Sequence, residues 1–416
     1  MSAIYIWFIS ILSIAGVIIR PYKIKEPVWP IAGAVLLLIA GLITKYEVWM
    51  GIIKGKEVYL FLTGMMLLAE TARESGLFSW LAAYATILAK GSPMNLFSII
   101  YVVGILVTIF LSNDATAVVL TPAVATATKT AGIKNPLPYL LICAFIANAA
   151  SFVLPISNPA NLVIYGNNIP ALHSWLSQFL VPSIVSITCT YFLLIFLQRK
   201  QIIDSVDSNI SLHPLTKENR VALIGIIATA IVLTICSSYQ ISLGLPTFIT
   251  GILTASIVLV ISSKRPALFI KNISWSVIFL VAGLFILVEA INKTGVTALW
   301  ARTLFNQTRN AVTEGVWITG IITAFGCNLV NNLPAGLLSG NVVQMAHVPE
   351  IIRRAILIGI DLGPNLSVTG SLATILWLVA LRREQINING WKFLKLGIFI
   401  MTITLLLTIA SLWLKS

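Results

Sequence analysis

The sequence predicts an all-α polytopic membrane protein. It would hold two inverted repeats of about five transmembrane helices, each with a re-entrant hairpin and a broken helix. Three observations predict this: an apolar surplus, long stretches without charge, and a set of landmarks that occurs twice. Hydrophobic residues are 58% of the 416-residue chain and charged residues 10%. A soluble globular protein carries roughly 45–50% and roughly 25%. So few charges cannot coat a soluble body of this size, and the apolar excess needs an apolar solvent.

The charge-free stretches show that the chain crosses many times. Residues 135–198, 221–263 and 315–349 contain no Asp, Glu, Lys or Arg. A membrane span needs about 20 residues, so each stretch holds more than one membrane element. Gln198 to Arg220 is the longest polar stretch, with seven charges. It reads as an aqueous linker (199–219) between a first membrane half (1–198) and a second (220–416).

The halves share landmarks. Leu67–Gly76 (LLAETARESG) aligns with Ile286–Gly295 (ILVEAINKTG) at an offset of 219 residues, superposing Glu70 on Glu289 and Gly76 on Gly295. The same offset places Asn113 on Asn332. An offset of 213 then matches Ala147–Val163 with Ile360–Leu376, placing Asn148 on Asp361 and Asn158 on Ser371. Four landmarks in the same order indicate duplication.

Taken in order, the first half has spans near 2–19, 28–46 and 57–74, and a short helix near 77–90. A hairpin near 94–130, an interrupted span near 136–165 and a span near 171–198 follow. The second half has spans near 220–237, 243–262 and 273–294, and a short helix near 296–308. A hairpin near 312–345, an interrupted span near 351–382 and a last span near 391–414 complete it. An odd number of crossings per half inverts one half against the other. Arg20–Lys25 (RPYKIK) carries three basic residues and its counterpart Ser237–Ser242 none. The positive-inside rule then puts that loop and the linker in the cytoplasm, with both termini outside. The three lysines of 45–56 fall on the opposite side under this assignment.

The net charge of +13 does not indicate nucleic acid. The basic residues sit singly or in pairs between apolar runs, as loops at an anionic membrane surface do. Cys143, Cys189, Cys236 and Cys327 lie in separate apolar segments, so neither a disulfide framework nor a zinc site is expected. No cofactor or metal is indicated. No basic region precedes the first apolar run, so Ser2–Ile19 reads as a retained span rather than a cleaved signal.

The chemistry is expected at four polar knots inside apolar runs, two per half. Backbone freed by Pro, Gly or Asn at membrane depth must be satisfied by protein or by water in a cavity. Ser112-Asn113-Asp114 and Asn331-Asn332-Leu333-Pro334 read as hairpin tips that present amides and helix N-terminal N–H groups. Leu154–Asn161 (LPISNPAN) and Asp361–Ser371 (DLGPNLSVTGS) hold too much Pro and Gly for one continuous helix. Broken helices at matching positions of two halves point to a transport site near the midplane. Candidate substrate contacts are Ser112, Asn113, Ser157, Asn158, Asn331, Asn332, Thr369, Ser371 and Thr374.

Asp114 and Asp361 are acids at the knots. An intramembrane acid costs at least about 2.5–3.5 kcal/mol and is a functional candidate by default, here for proton coupling. Asp114 could instead cap the helix that follows it. Glu70 and Glu289, near Arg73 and Lys293, read as structural ion pairs. His173, His213 and His347 lie near segment ends or in the linker. Cys327 lies beside the second tip, where it could meet a thiophilic substrate, although packing is its ordinary role.

These knots resemble those of the ArsB family of arsenite and antimonite efflux proteins, within the ion-transporter superfamily. The resemblance spans nearly the whole chain. Gly359–Leu378 (GIDLGPNLSVTGSLATILWL) is its most specific piece, and Ser112–Pro122 (SNDATAVVLTP) matches at the superfamily level. One departure is visible. The family usually shows Thr-Pro where this chain has Ser367, Val368 and Thr369. The resemblance implies export of As(OH)3 or Sb(OH)3 in exchange for protons across the cell inner membrane. A soluble ArsA-type ATPase sometimes assists such proteins. Arsenite near neutral pH is an uncharged triol, and the knots offer Ser, Asn and Thr without Arg or Lys. A carboxylate or sodium–proton carrier of the same superfamily is the alternative. Oligomeric state stays open, with a homodimer among the options.

Overall fold

The computed structural model describes residues 2–19, 21, 24–166, 168–203, 206, 214–239, 241–262, 266–309, 311–386 and 388–415. Arg20, Lys23 and His213 lie outside them, as does most of the expected linker. The described residues are helical throughout, with no strand among them.

The first half begins with α1 (Ser2–Ile19), α2 (Val28–Ile39), α3 (Lys45–Lys54), α4 (Lys56–Glu74) and α5 (Leu77–Leu88). It continues with α6 (Pro93–Phe110), α7 (Asn113–Ala115), a π-helical turn (Thr116–Leu120) and α8 (Thr121–Thr130). It closes with α9 (Leu137–Ala149), α10 (Pro159–Tyr165) and α11 (Leu172–Gln198). The second half holds α12 (Lys217–Ser238), α13 (Gly244–Ser262), α14 (Pro266–Asn272), α15 (Ser276–Lys293) and α16 (Val296–Thr308). Then come α17 (Val312–Val330), α18 (Asn332–Ala346), α19 (Glu350–Leu362), α20 (Leu372–Arg383) and α21 (Gly390–Ala410). Seven of these helices, α11 with its 3-10 extension among them, are long and apolar enough to cross a membrane.

Most expected elements fall within a few residues of their positions. Two helices were not anticipated. Residues 45–54 were read as a loop and form α3 instead. Gly41 turns the chain at φ +67°, and Thr44 and Glu47 then make a reciprocal capping box that starts the helix. The second is the short α14.

The halves interlock. α4 lies along α13, and α11 along α21. Backbone contact at the α4–α13 seam requires glycine: a Cβ on Gly64 would strike the Thr247 carbonyl, and one on Gly251 would sit 2.6 Å from the Gly64 carbonyl. Within the second half, Gly359 and Gly363 of the α19 region lie in the same way against Gly320 and Ala324 of α17. Small residues let membrane helices approach until dispersion and carbonyl contacts hold them.

Landmarks of the duplication recur in local structure. Gly76 (φ +82°) and Gly295 (φ +78°) both adopt the left-handed conformation just before α5 and α16. Ser112 and Asn331 both have positive φ and cap the returning helix of their tips. Asn158 and Ser371 both cap the second piece of a broken helix.

Candidate functional site

Each broken helix stops where its sequence removes helical hydrogen bonds. α9 ends at Ala149, and the chain unwinds through Pro155 and Ser157 before Asn158 restarts it as α10, accepting from the Ala160 N–H at 3.0 Å. α19 gives way at Gly363-Pro364, and Ser371 restarts the chain as α20 in a capping box with Thr374. Freed backbone is bonded locally: Asn161 Nδ2 donates to the Ser151 carbonyl (2.8 Å) and Ser186 Oγ to that of Ala149 (2.8 Å).

The two unwound segments meet. Asn158 Nδ2 donates to Asp361 Oδ1 at 2.8 Å. Asn148 Nδ2 donates to Asn365 Oδ1 at 3.0 Å, Asn365 Nδ2 to the Phe145 carbonyl at 3.1 Å, and Ser371 Oγ to Asn148 Oδ1 at 3.4 Å. These bonds cross from one half to the other between residues wholly or almost wholly removed from the surface. Asp361 has 0% exposure, and among the described residues its Oδ2 has no hydrogen-bond partner. An unpaired buried carboxylate oxygen is costly, and such exceptions point to function.

The tips pack across the halves. α10 lies against α18, behind the second tip, while α20 lies against α7 and the π-helical turn at the first. At the first tip, Ser112 Oγ accepts from Ala115 N–H (3.3 Å) and Asn113 Oδ1 from Asp114 N–H (2.9 Å). Ser157 Oγ donates to the Ile109 carbonyl at 3.0 Å. Ser112 and Asp114 line a cavity of about 750 Å3, with Glu70, Arg73, Lys271 and Arg383 also on its wall. At the second tip, Asn331 Nδ2 donates to the Thr369 carbonyl at 3.3 Å and Asn332 N–H to that of Gly370 at 2.9 Å. The space beside this tip is about 20 Å3.

The candidates therefore fall into three groups. Asn158, Asp361, Ser371 and Thr374 gather at the crossing of the broken helices. Asn331, Asn332 and Thr369 form the second tip. Ser112, Asn113 and Asp114 form the first, tied to Ser157 through Ile109. In this conformation the Ser371 and Thr374 hydroxyls bond each other (3.0 Å) and nearby backbone. Sequence reasoning left out Asn148, Asn365 and Asn328 as site residues. Asn328 sits one turn before Asn331 on α17, and that i, i+3 spacing in an apolar run was the available signal.

The other polar residues settle into structural roles. Arg73 forks onto Glu70 at 2.6 and 2.8 Å and reaches Glu74 at 2.6 Å. Glu289 pairs with Lys54 at 2.6 Å rather than with Lys293, which reaches Glu47 instead. The reason is α3: folding 45–54 as a helix brings Lys54 and Glu47 beside α15. Cys327 is buried, with its Sγ 3.7 Å from the Ile360 carbonyl. His173 lies at the start of α11, and His347 closes α18. Among the described residues no group of three His, Cys, Asp or Glu could hold a metal ion.

A family model described as a citrate transporter matches residues 5–361. The arsenical pump membrane protein of Escherichia coli K12 is 25% identical over 421 residues, covering 98% of this chain and 97% of that one. The putative arsenical pump membrane protein of Bacillus subtilis 168 is 25% identical over 424 residues, covering 95% of each. Among solved structures, the Alcanivorax borkumensis YdaH transporter shares the fold at a TM-score of 0.57 and 16% identity, over 88% of this chain and 86% of that one. Neisseria gonorrhoeae MtrF, described within a class of antimetabolite efflux pumps, does so at 0.51 and 14%, over 90% and 85%.

Proposed function

The chain belongs to the citrate transporter (CitMHS) family, and from its likeness to arsenical pump membrane proteins and the chemistry of its polar centre we propose that it exports trivalent arsenite and antimonite, As(OH)3 and Sb(OH)3, in exchange for protons. It is a multi-pass membrane transporter and not an enzyme. The arsenical specificity draws on the pumps of Escherichia coli and Bacillus subtilis, similar to it over nearly their full length.

One observation carries the substrate reading. The polar centre where the broken helices cross holds amides and hydroxyls around a single acid. No Lys or Arg hydrogen-bonds to those groups among the described residues. A neutral triol needs donors and acceptors of this kind, whereas a tricarboxylate held there would leave its charge without a cation.

In this reading the hairpins are re-entrant and the halves (1–198 and 220–416, joined by 199–219) are inverted repeats. Asn113, Asn158, Asn332, Ser371 and Thr374 hydrogen-bond the triol when the site is loaded. Ser112, Ser157, Asn331 and Thr369 complete its surroundings. Asp114 or Asp361 takes a proton on one side and releases it on the other, and a hairpin-bearing unit moves to alternate access. Coupling to a soluble ATPase and pairing as a homodimer are compatible with this scheme, and neither is required by it.

The test is arsenite tolerance of a pump-deficient cell with and without the chain, together with arsenite uptake into everted vesicles under an imposed proton gradient. Uptake is expected, and Asp114→Asn at equal expression should abolish its dependence on the gradient. Undiminished uptake in that variant would remove Asp114 from the coupling scheme. Inhibition by citrate or succinate, or a sodium requirement, would replace the arsenite reading with the carboxylate or sodium–proton one.

A further inference from the structure

We infer that Asn328 is a positioning residue that latches the second tip to the second broken helix, so that the first tip is the half of the site that opens. The inference rests on the transport reading for its meaning and on the hydrogen bonds for its content.

Asn328 lies on the last turn of α17. Its Nδ2 donates to the Ala324 carbonyl (2.9 Å) and to that of Gly363 (3.0 Å). Its Oδ1 accepts from Ser367 Oγ at 2.6 Å, and its own carbonyl accepts from Thr369 Oγ1 at 3.4 Å. One side chain thus spans the unwound segment, from the end of α19 to the residues before α20. Gly370 leaves room for it: a Cβ there would stand 2.7 Å from Asn328 Oδ1 and 2.5 Å from Pro364 Cα. With the bonds of Asn331 to Thr369 and of Asn332 to Gly370, the second tip is tied along the whole unwound stretch.

The first tip cannot be tied this way. At the offset of 219 the counterpart of Asn328 is Ile109, which has no side-chain donor or acceptor. Only its carbonyl takes part, accepting from Ser157. The difference is written in residue type and does not depend on which conformation the protein occupies. A cavity of about 750 Å3 lined by Ser112 and Asp114 lies beside the first tip.

Hydrogen–deuterium exchange of the full chain in lipid nanodiscs tests this without any substrate, so its outcome is independent of what is transported. In the unaltered protein, amides of 111–116 should exchange at least about tenfold faster than those of 330–334. Equal rates, or the reverse order, would overturn the inference. Asn328→Ile, which copies Ile109, should speed exchange at 330–334 by about tenfold while leaving 111–116 unchanged. No change at 330–334 would also overturn it. If Asn328→Ile exchanges fast everywhere, the fold is lost, and Ser367→Ala, which removes only the 2.6 Å bond, carries the same test with a smaller local rise. In transport assays the latch variants should lower the maximal rate more than they raise the half-saturating concentration, and the opposite split would overturn the positioning role.

Discussion

The two hairpin tips stand at matching landmarks of the sequence and are held differently. Ser112 and Asn331 stand at the offset of 219, both with positive φ (149° and 73°) and both capping the helix that returns. Non-glycine residues in such backbone regions store about 1–3 kcal/mol each and persist only where surroundings impose them. At the second tip the surroundings are visible: Asn328, Asn331 and Asn332 bond the unwound segment of their own half. At the first tip the hydrogen bonding is mostly internal, with α20 packed alongside and a cavity beside Ser112 and Asp114. The same turn occurs twice, and the residue types at single matching positions make one tip a fixture and leave the other beside open space.

The largest effect should come from the centre that both tips share. Asp361→Asn removes a charge-assisted bond from Asn158, worth about 1.5–3 kcal/mol. Proton-coupled uptake should fall by about 100-fold at the upper end of that range. If Asp361→Asn transports normally, the acid at the crossing is structural and the comparison of tips loses its centre.

Next in size is Gly370→Ala, which forces a methyl between Asn328 and Pro364. Overpacking of this kind costs about 1–3 kcal/mol, and the thermal midpoint of the purified protein should drop accordingly. The first-half counterpart at the offset of 213 is Ser157, which carries a side chain without conflict. Ser157→Ala should cost only about 1 kcal/mol, the value of its bond to the Ile109 carbonyl. Similar losses for the two variants would mean that the second tip is no more tightly held than the first.

The smallest effect has the opposite sign. Ser112→Gly relieves the positive-φ strain, and glycine in place of a serine cap costs only a few tenths of a kcal/mol. A stability gain of about 1 kcal/mol is expected. Uptake should fall if the hydroxyl contacts the solute. A loss of stability would show that the Ser112 hydroxyl, rather than its backbone, sets the turn.

Much of this was legible in the residues. The knots at 154–161 and 361–371 unwind because Pro, Gly and Asn remove or compete for helical bonds, and that is local chemistry. The tips were legible for the same reason. The helix at 45–54 was not, because its two lysines, Lys45 and Lys54, read as loop polarity, while the ion pairs to α15 that hold it depend on contacts distant in sequence. Asn328 escaped notice because one asparagine near the end of an apolar helix looks like any helix–helix contact until Gly363 and Ser367 are placed around it.

By itself the sequence determined the solvent, the spacing of the matching landmarks and the four places where helix must fail. Burial preference, repeat spacing and backbone hydrogen bonding are properties of residue type and order. Only the tertiary structure decided that Asn158 of one half meets Asp361 of the other, that Glu289 pairs with Lys54, and that Asn328 reaches Gly363 and Ser367. The first two rest on contacts between residues 203 and 235 positions apart and the third on contacts 35 and 39 apart, all set by how glycine-lined helices close against one another.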